Sequence, residues 1–170
     1  MKSINECIGE ELQWVHPHLL RAEYELRAGD EVLVSLSYSG AFSSQARAEA
    51  ADGLWVFERK NLSRTITVLA LDTRTELASV KRGMSGHSTL LFPDGREYRW
   101  QCSSFWHTVW TWFDQEGRPL LHLKRGKHVQ LEPDACDLHD LALLTTLGWY
   151  LYKQQEEEAA TAAAIVPVIS

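Results

Sequence analysis

Apolar and polar residues alternate in short runs between residues 22 and 132, and turn-forming residues separate the runs. A side-chain period of two is the signature of a strand with one covered face. Val32, Val34 and Leu36 mark one such face, and Ile66 and Val68 another. Tyr98, Trp100 and Cys102 mark a third, with Glu97, Arg99 and Gln101 opposite. Asp52-Gly53 is a strong two-residue hairpin signal. In Pro93-Asp94-Gly95 the proline presets φ and the glycine tolerates a positive one. Runs at 23–26, 32–36, 46–51, 54–59, 64–70, 75–81, 87–92, 97–102, 105–113, 120–125 and 129–131 predict about eleven strands. A twelfth is expected near Gln13-Trp14-Val15. No helix-period segment interrupts them, which argues against a parallel βαβ fold and for a sandwich or barrel.

After Pro133 the pattern changes once. Asp134 and Asp137 are N-cap candidates for a helix over about 137–155. Leu141, Leu143, Leu144, Leu147, Trp149 and Leu151 point all round a 3.6-residue wheel. The hydroxyls of Thr145 and Thr146 can bond back to the carbonyls of Leu141 and Ala142. A helix apolar on every side has to be enclosed on every side. The stretch from Leu141 to Tyr152 rises about 18 Å, too short for roughly 30 Å of hydrocarbon. It also lacks the polar stripe of a helix lying outside a sheet. The remaining solution is all-β with one central helix: a closed antiparallel barrel of about twelve strands enclosing a C-terminal hydrophobic α-helix. Strands of about 20 Å match the helix in length. One domain over 1–158 and a tail over 159–170 are expected.

This order of elements resembles the tubby C-terminal-like superfamily, which includes the phospholipid scramblases and the plant LURP-one-related proteins. Local likeness lies in Trp110-Thr111-Trp112-Phe113-Asp114-Gln115-Glu116-Gly117, an aromatic strand running into a turn. It continues in Asp137 to Tyr152, an acidic approach to an apolar helix. The resemblance covers roughly residues 20 to 155. It implies the helix-filled barrel and does not settle the activity; a non-enzymatic binding or scaffold role, with an anionic phospholipid surface or a protein as partner, is the expected function.

Composition narrows the partners. The 170 residues are 45% hydrophobic and 24% charged, with a formal net charge of −6. Asp134, Asp137, Asp140 and Glu156 to Glu158 against Lys153 carry most of that excess, so the rest is near neutral. A nucleic-acid partner, which calls for a basic excess, is not expected. Cys7, Cys102 and Cys136 form no paired motif, and a reducing compartment suits them. Residues Met1 to Glu6 lack the apolar core of a signal peptide. A cytoplasmic location, peripheral to a membrane in the lipid reading, is therefore expected.

Basic residues cluster at strand ends: Arg59-Lys60 with Arg64, Lys81-Arg82, and Lys124-Arg125 with Lys127. Lys81, Arg82, Lys124, Arg125 and Lys127 are the candidate rim for an anionic headgroup. The competing reading is that they are edge charges that keep the barrel from aggregating. In the run 105–113, Trp106, Trp110 and Trp112 share a parity and form a candidate interaction patch. A cover from the N-terminal segment carrying Trp14, Leu19 and Leu20 is the alternative.

Catalytic residues, metals and cofactors are not expected. His16 and His18 flank Pro17 with no third ligand in view. Gly83-Met84-Ser85-Gly86-His87 lacks the last glycine and the strand-to-helix context of a nucleophile elbow. A hydrolase would need a deep polar pocket holding two of His87, His107 and His122, the last two expected on neighbouring strands. A structural oligomerisation module acting through 159–170 is the third reading.

Overall fold

The computed structural model describes residues 1–40, 44–59 and 64–169, with side chains as far as Ile165. Its strands are β1 (Leu12–Val15), β2 (Glu23–Ala28), β3 (Glu31–Tyr38), β4 (Gln45–Ala50), β5 (Gly53–Arg59) and β6 (Thr65–Ala70). They continue as β7 (Glu76–Arg82), β8 (Ser88–Leu91), β9 (Glu97–Cys102), β10 (Val109–Phe113), β11 (Pro119–Lys124) and β12 (His128–Leu131). All neighbours in sequence pair antiparallel, and β1 pairs with β12 through Leu12–Val129 and Gln13–His128, which closes the barrel. The segment expected near Trp14 is β1.

Because every connection is a hairpin, strand direction alternates and the barrel has two distinct ends. Odd-numbered strands run towards one end, here the mouth, and even-numbered strands run towards the other, the base. The single α-helix, α1 (Leu141–Ile169), starts at the base and leaves through the mouth. A short 3-10 turn, Ile4–Cys7, plugs the base with Ile4 and Cys7 buried. Its Asn5 amide donates to the carbonyls of Cys136 (2.7 Å) and Leu138 (3.0 Å).

The helix is enclosed as its composition demands: residues 141–151 are all buried. Thr145 and Thr146 hydroxyls donate to the carbonyls of Leu141 (2.8 Å) and Ala142 (2.7 Å), so neither of these two is stranded in the core. The wall is fitted to the helix by size. Strand β4 turns Ala46, Ala48 and Ala50 inward, while β9 and β10 turn in Trp100 and Trp112. Opposite these indoles the helix carries Gly148, where a Cβ would stand 2.8 Å from Trp112 Nε1. Trp14 stacks on Trp149 at 5.1 Å, and Tyr38 on Tyr150 at 6.1 Å.

The start of the helix differs from the sequence reading. Asp134 and Asp137 do not cap the helix, because Pro133–Ala135 forms a separate 3-10 turn and further turns follow. The cap position belongs to Asp140, whose carbonyl accepts the Leu144 N–H at 2.9 Å. Its buried carboxylate accepts from the Tyr98 hydroxyl (2.8 Å) and pairs with Arg96. At the other end the helix emerges from the barrel near residue 155 and, through the helix-forming residues 153–164, runs on to Ile169, exposed from Glu156 to Ile165.

Candidate functional site: the barrel mouth

Residues 103–108 do not extend β10 backwards as their aromatic content suggests. Ser104 folds them: its hydroxyl oxygen accepts the N–H groups of Thr108 (2.9 Å) and Val109 (3.0 Å). Its carbonyl accepts the His107 N–H at 3.2 Å, and His107 sits in the left-handed region at φ 55°. The strand therefore begins only at Val109, and the turn lifts Phe105 and Trp106 into solvent, 86% and 80% exposed. The two rings meet edge to face at 5.2 Å.

Neighbouring mouth connections present the same kind of tip. Met84 is exposed in a loop closed by the Gly83 N–H donating to the His87 carbonyl at 2.7 Å. Leu19 and Leu20 are exposed in the connection after β1. Most of the large apolar side chains exposed among the described residues thus lie at this one end, with Ile165 on the emerging helix; Met1 and Leu54 lie at the base.

The candidate cations stand at the same end in two groups. Lys124, Arg125 and Lys127 surround the β11–β12 turn, where the Arg125 N–H donates to the Thr108 carbonyl at 2.6 Å and joins this turn to the Trp106 loop. Gly126 has φ 62°, and a Cβ there would fall 2.4 Å from the Tyr152 ring, so only glycine lets the turn close over the exiting helix. Burial, with Glu156 beside it, pushes the Tyr152 hydroxyl up to about 12. The second group lies at the end of β7: Lys81 is exposed, and Arg82 turns towards the helix and binds Glu158. Four strand steps, about 19 Å, separate β7 from β11. The five candidates therefore form no single cradle; they flank the loops carrying Met84, Phe105 and Trp106. Lys60 lies outside the described residues.

The tryptophan triad does not form one surface. Trp112 is 0% exposed against the helix, and Trp110 is half-buried, stacked on Trp100 at 5.8 Å. Only Trp106 is presented to solvent, from a loop. The expected N-terminal cover is absent as well: Trp14 is inside the barrel, while Leu19 and Leu20 are exposed.

The histidines are dispersed. His16 stacks on Tyr24 at 4.7 Å and its Nε2 bonds the Arg21 carbonyl at 2.7 Å. His87 and His107 lie in separate mouth loops, so His107 does not sit on a strand beside His122. His122, on the barrel wall, lies in a chain of side chains that joins β11 and β10 to the residues just beyond β12 and β9. Nε2 bonds the Glu132 carboxylate, Nδ1 lies 2.8 Å from the Thr111 hydroxyl, and that hydroxyl lies 2.8 Å from the Ser103 hydroxyl. In this chain the Thr111 hydroxyl at the centre is fully buried, while Ser103 at the end is exposed.

The sequence reading missed the exposed pair as a pair, and it missed the division of charge between the ends. That division is legible once hairpins alternate. The described residues of the mouth connections, 16–22, 39–40, 44, 64, 83–87, 103–108 and 125–127, contain no Asp or Glu, whereas each of the five base hairpins contains an Asp.

No protein-family model matches the chain, and no curated protein matches it. The crystal structure of a protein from Arabidopsis thaliana is similar with a TM-score of 0.61. The match covers 88% of this chain and 94% of that one at 14% identity, a likeness of fold.

Proposed function

We propose that this chain is a non-enzymatic binding module of the tubby-like class that docks by its mouth on an anionic phospholipid surface. The observation that carries the reading is the coincidence, at one end, of exposed Phe105, Trp106, Met84, Leu19 and Leu20 with flanking Lys81, Lys124, Arg125 and Lys127. Aromatic and aliphatic tips enter the headgroup boundary while cations beside them meet anionic lipid, each near-surface cation contributing about 1 kcal/mol. The order of twelve strands then one enclosed helix supports the class. The filled barrel supports the non-enzymatic reading.

Among the described residues no helix is long and apolar enough to cross a membrane, so attachment in this reading is peripheral. Flotation with phosphatidylcholine vesicles, with and without about 20% phosphatidylserine, tests it. The chain is expected to float only with the anionic vesicles. Phe105→Ser with Trp106→Ser is expected to lower binding about tenfold or more, because each ring gives up about 1.5–3 kcal/mol of burial. Equal recovery with neutral and anionic vesicles overturns the proposal.

A further inference from the structure

At the mouth, the end of β5, the start of β6, the end of β7 and the emerging helix enclose a cleft of about 470 Å³. Arg59, Arg64 and Arg82 line it, together with Gln155 and Glu158 from α1. Arg82 grips the Glu158 carboxylate with both guanidinium nitrogens, at 2.7 and 2.8 Å, and Arg59 reaches the first of those oxygens at 2.7 Å. Two-point gripping of this kind is how guanidinium groups hold phosphate and carboxylate alike. The bonded Arg82 holds the Glu158 carboxyl below the usual glutamate range, so the group is ionised at neutral pH.

One carboxylate, held by Arg59 and Arg82, shares the cleft with the third guanidinium group, that of Arg64. Gln155 donates to the Gly86 carbonyl at 3.1 Å and keeps a buried Oε1 with no described partner, an acceptor that waits for a donor. Among the described residues, the Glu158 pair is also the last side-chain bond between the helix and the barrel wall. Beyond it Thr161 bonds only within the helix, to the Glu157 carbonyl at 2.9 Å.

We propose that Glu158 is a built-in occupant of an anion site formed by Arg59, Arg64 and Arg82, that a phosphate monoester takes its place, and that the exchange unclips the helix from the rim beyond residue 158. A monoester dianion offers three oxygens to three guanidinium groups, and its protonated form or a neighbouring hydroxyl meets the Gln155 oxygen. The inference depends on the docking reading only in setting the cleft at the end turned towards lipid.

The test uses the full chain and glycerol 3-phosphate, followed by calorimetry, with hydrogen exchange read over residues 157–165. Glu158→Gln is expected to bind about tenfold more tightly than the parent, because a charged competitor has gone. It is also expected to show fast exchange in the extension without ligand. Arg64→Gln, an exposed position, is expected to keep its stability and to lose about fivefold in affinity. Vesicles of phosphatidylcholine with about 20% phosphatidic acid, against the same with phosphatidylserine, separate a lipid monoester from a free one. Tighter binding to phosphatidic acid assigns the site to a headgroup, and equal binding assigns it to the free phosphate. No binding by either the parent or Glu158→Gln, or equal affinity in the two, overturns the exchange. A chain that floats on phosphatidylserine yet shows that equality loses the latch and keeps the docking. One that binds glycerol 3-phosphate but does not float loses the docking and keeps the latch.

Discussion

Gly148 shows how tightly single residues are specified inside this barrel. A helix apolar on all sides has ordinary room for alanine, the better helix former by about 1 kcal/mol. Here the missing Cβ is the space occupied by two indoles, with Trp112 Nε1 at 2.8 Å and the Trp100 ring at 2.9 Å from where it would be. Both rings are fully buried and cannot swing aside. Gly148→Ala is therefore expected to destabilise by about 1–3 kcal/mol despite its gain in propensity. Urea unfolding measures it, and a variant at or above parental stability would show that the indoles have slack. Asp140 is specified in another way. Its carboxylate gathers the Tyr98 hydroxyl and the Arg96 guanidinium at the start of the helix, so the first turn is pinned to β9 rather than capped by its own side chain.

At the scale of elements, the helix divides at the mouth into a part that holds the barrel together and a part that does not. Leu147 is fully buried, and Leu147→Ala is expected to cost about 2–5 kcal/mol. Ending the chain after Ala160 removes only residues beyond the Glu158 clip, and is expected to change stability by less than about 0.5 kcal/mol. Paired urea titrations check the contrast, and sizing of the shortened chain tests the oligomerisation reading at the same time. Loss of the folded barrel on truncation would place the outer helix in the core of the fold.

The same division explains what was legible from sequence. The buried turns of α1 were readable because no face was fit for water. Strand β9 was readable because Glu97, Arg99 and Gln101 kept one face polar. The start of α1 was not, since Asp134, Asp137 and Asp140 are equivalent as caps until Pro133 commits its own turn to a 3-10 form. Nor was the loop at 103–108. Phe, Trp and Thr favour strands, and the side chain that breaks the strand is Ser104, whose hydroxyl oxygen captures two backbone N–H groups. With that turn misplaced, Trp106 was grouped by parity with Trp110 and Trp112, which the structure turns inward.

At the scale of the whole molecule, hairpin connectivity sorts charge. Alternate connections fall at opposite ends, and the five base hairpins carry Asp30, Asp52, Asp72, Asp94 and Asp114, while the described residues of the mouth connections carry no carboxylate. The acids near the mouth come from strand ends and from α1, and of these Glu156 and Glu158 are engaged by Lys153, Arg59 and Arg82. The net charge of −6 thus conceals a polarised body, which an anionic surface repels at the base and attracts at the mouth. Such steering acts over about 10 Å at 0.1 M salt and about 3 Å at 1 M. High salt is then expected to slow association with phosphatidylserine vesicles by an order of magnitude or more, while dissociation, set by the embedded rings, changes little. Orientation follows from the same polarity. In a chain with the exposed Cys136 replaced by Ser, a fluorophore on Ser85→Cys at the mouth is expected to be quenched by a lipid-borne quencher. One on Thr73→Cys at the base, about 20 Å away along the strands, is expected to stay bright. Equal quenching at both positions would mean that the barrel lies on its side or does not choose an end, and neither is compatible with a charge-sorted body that approaches lipid mouth first.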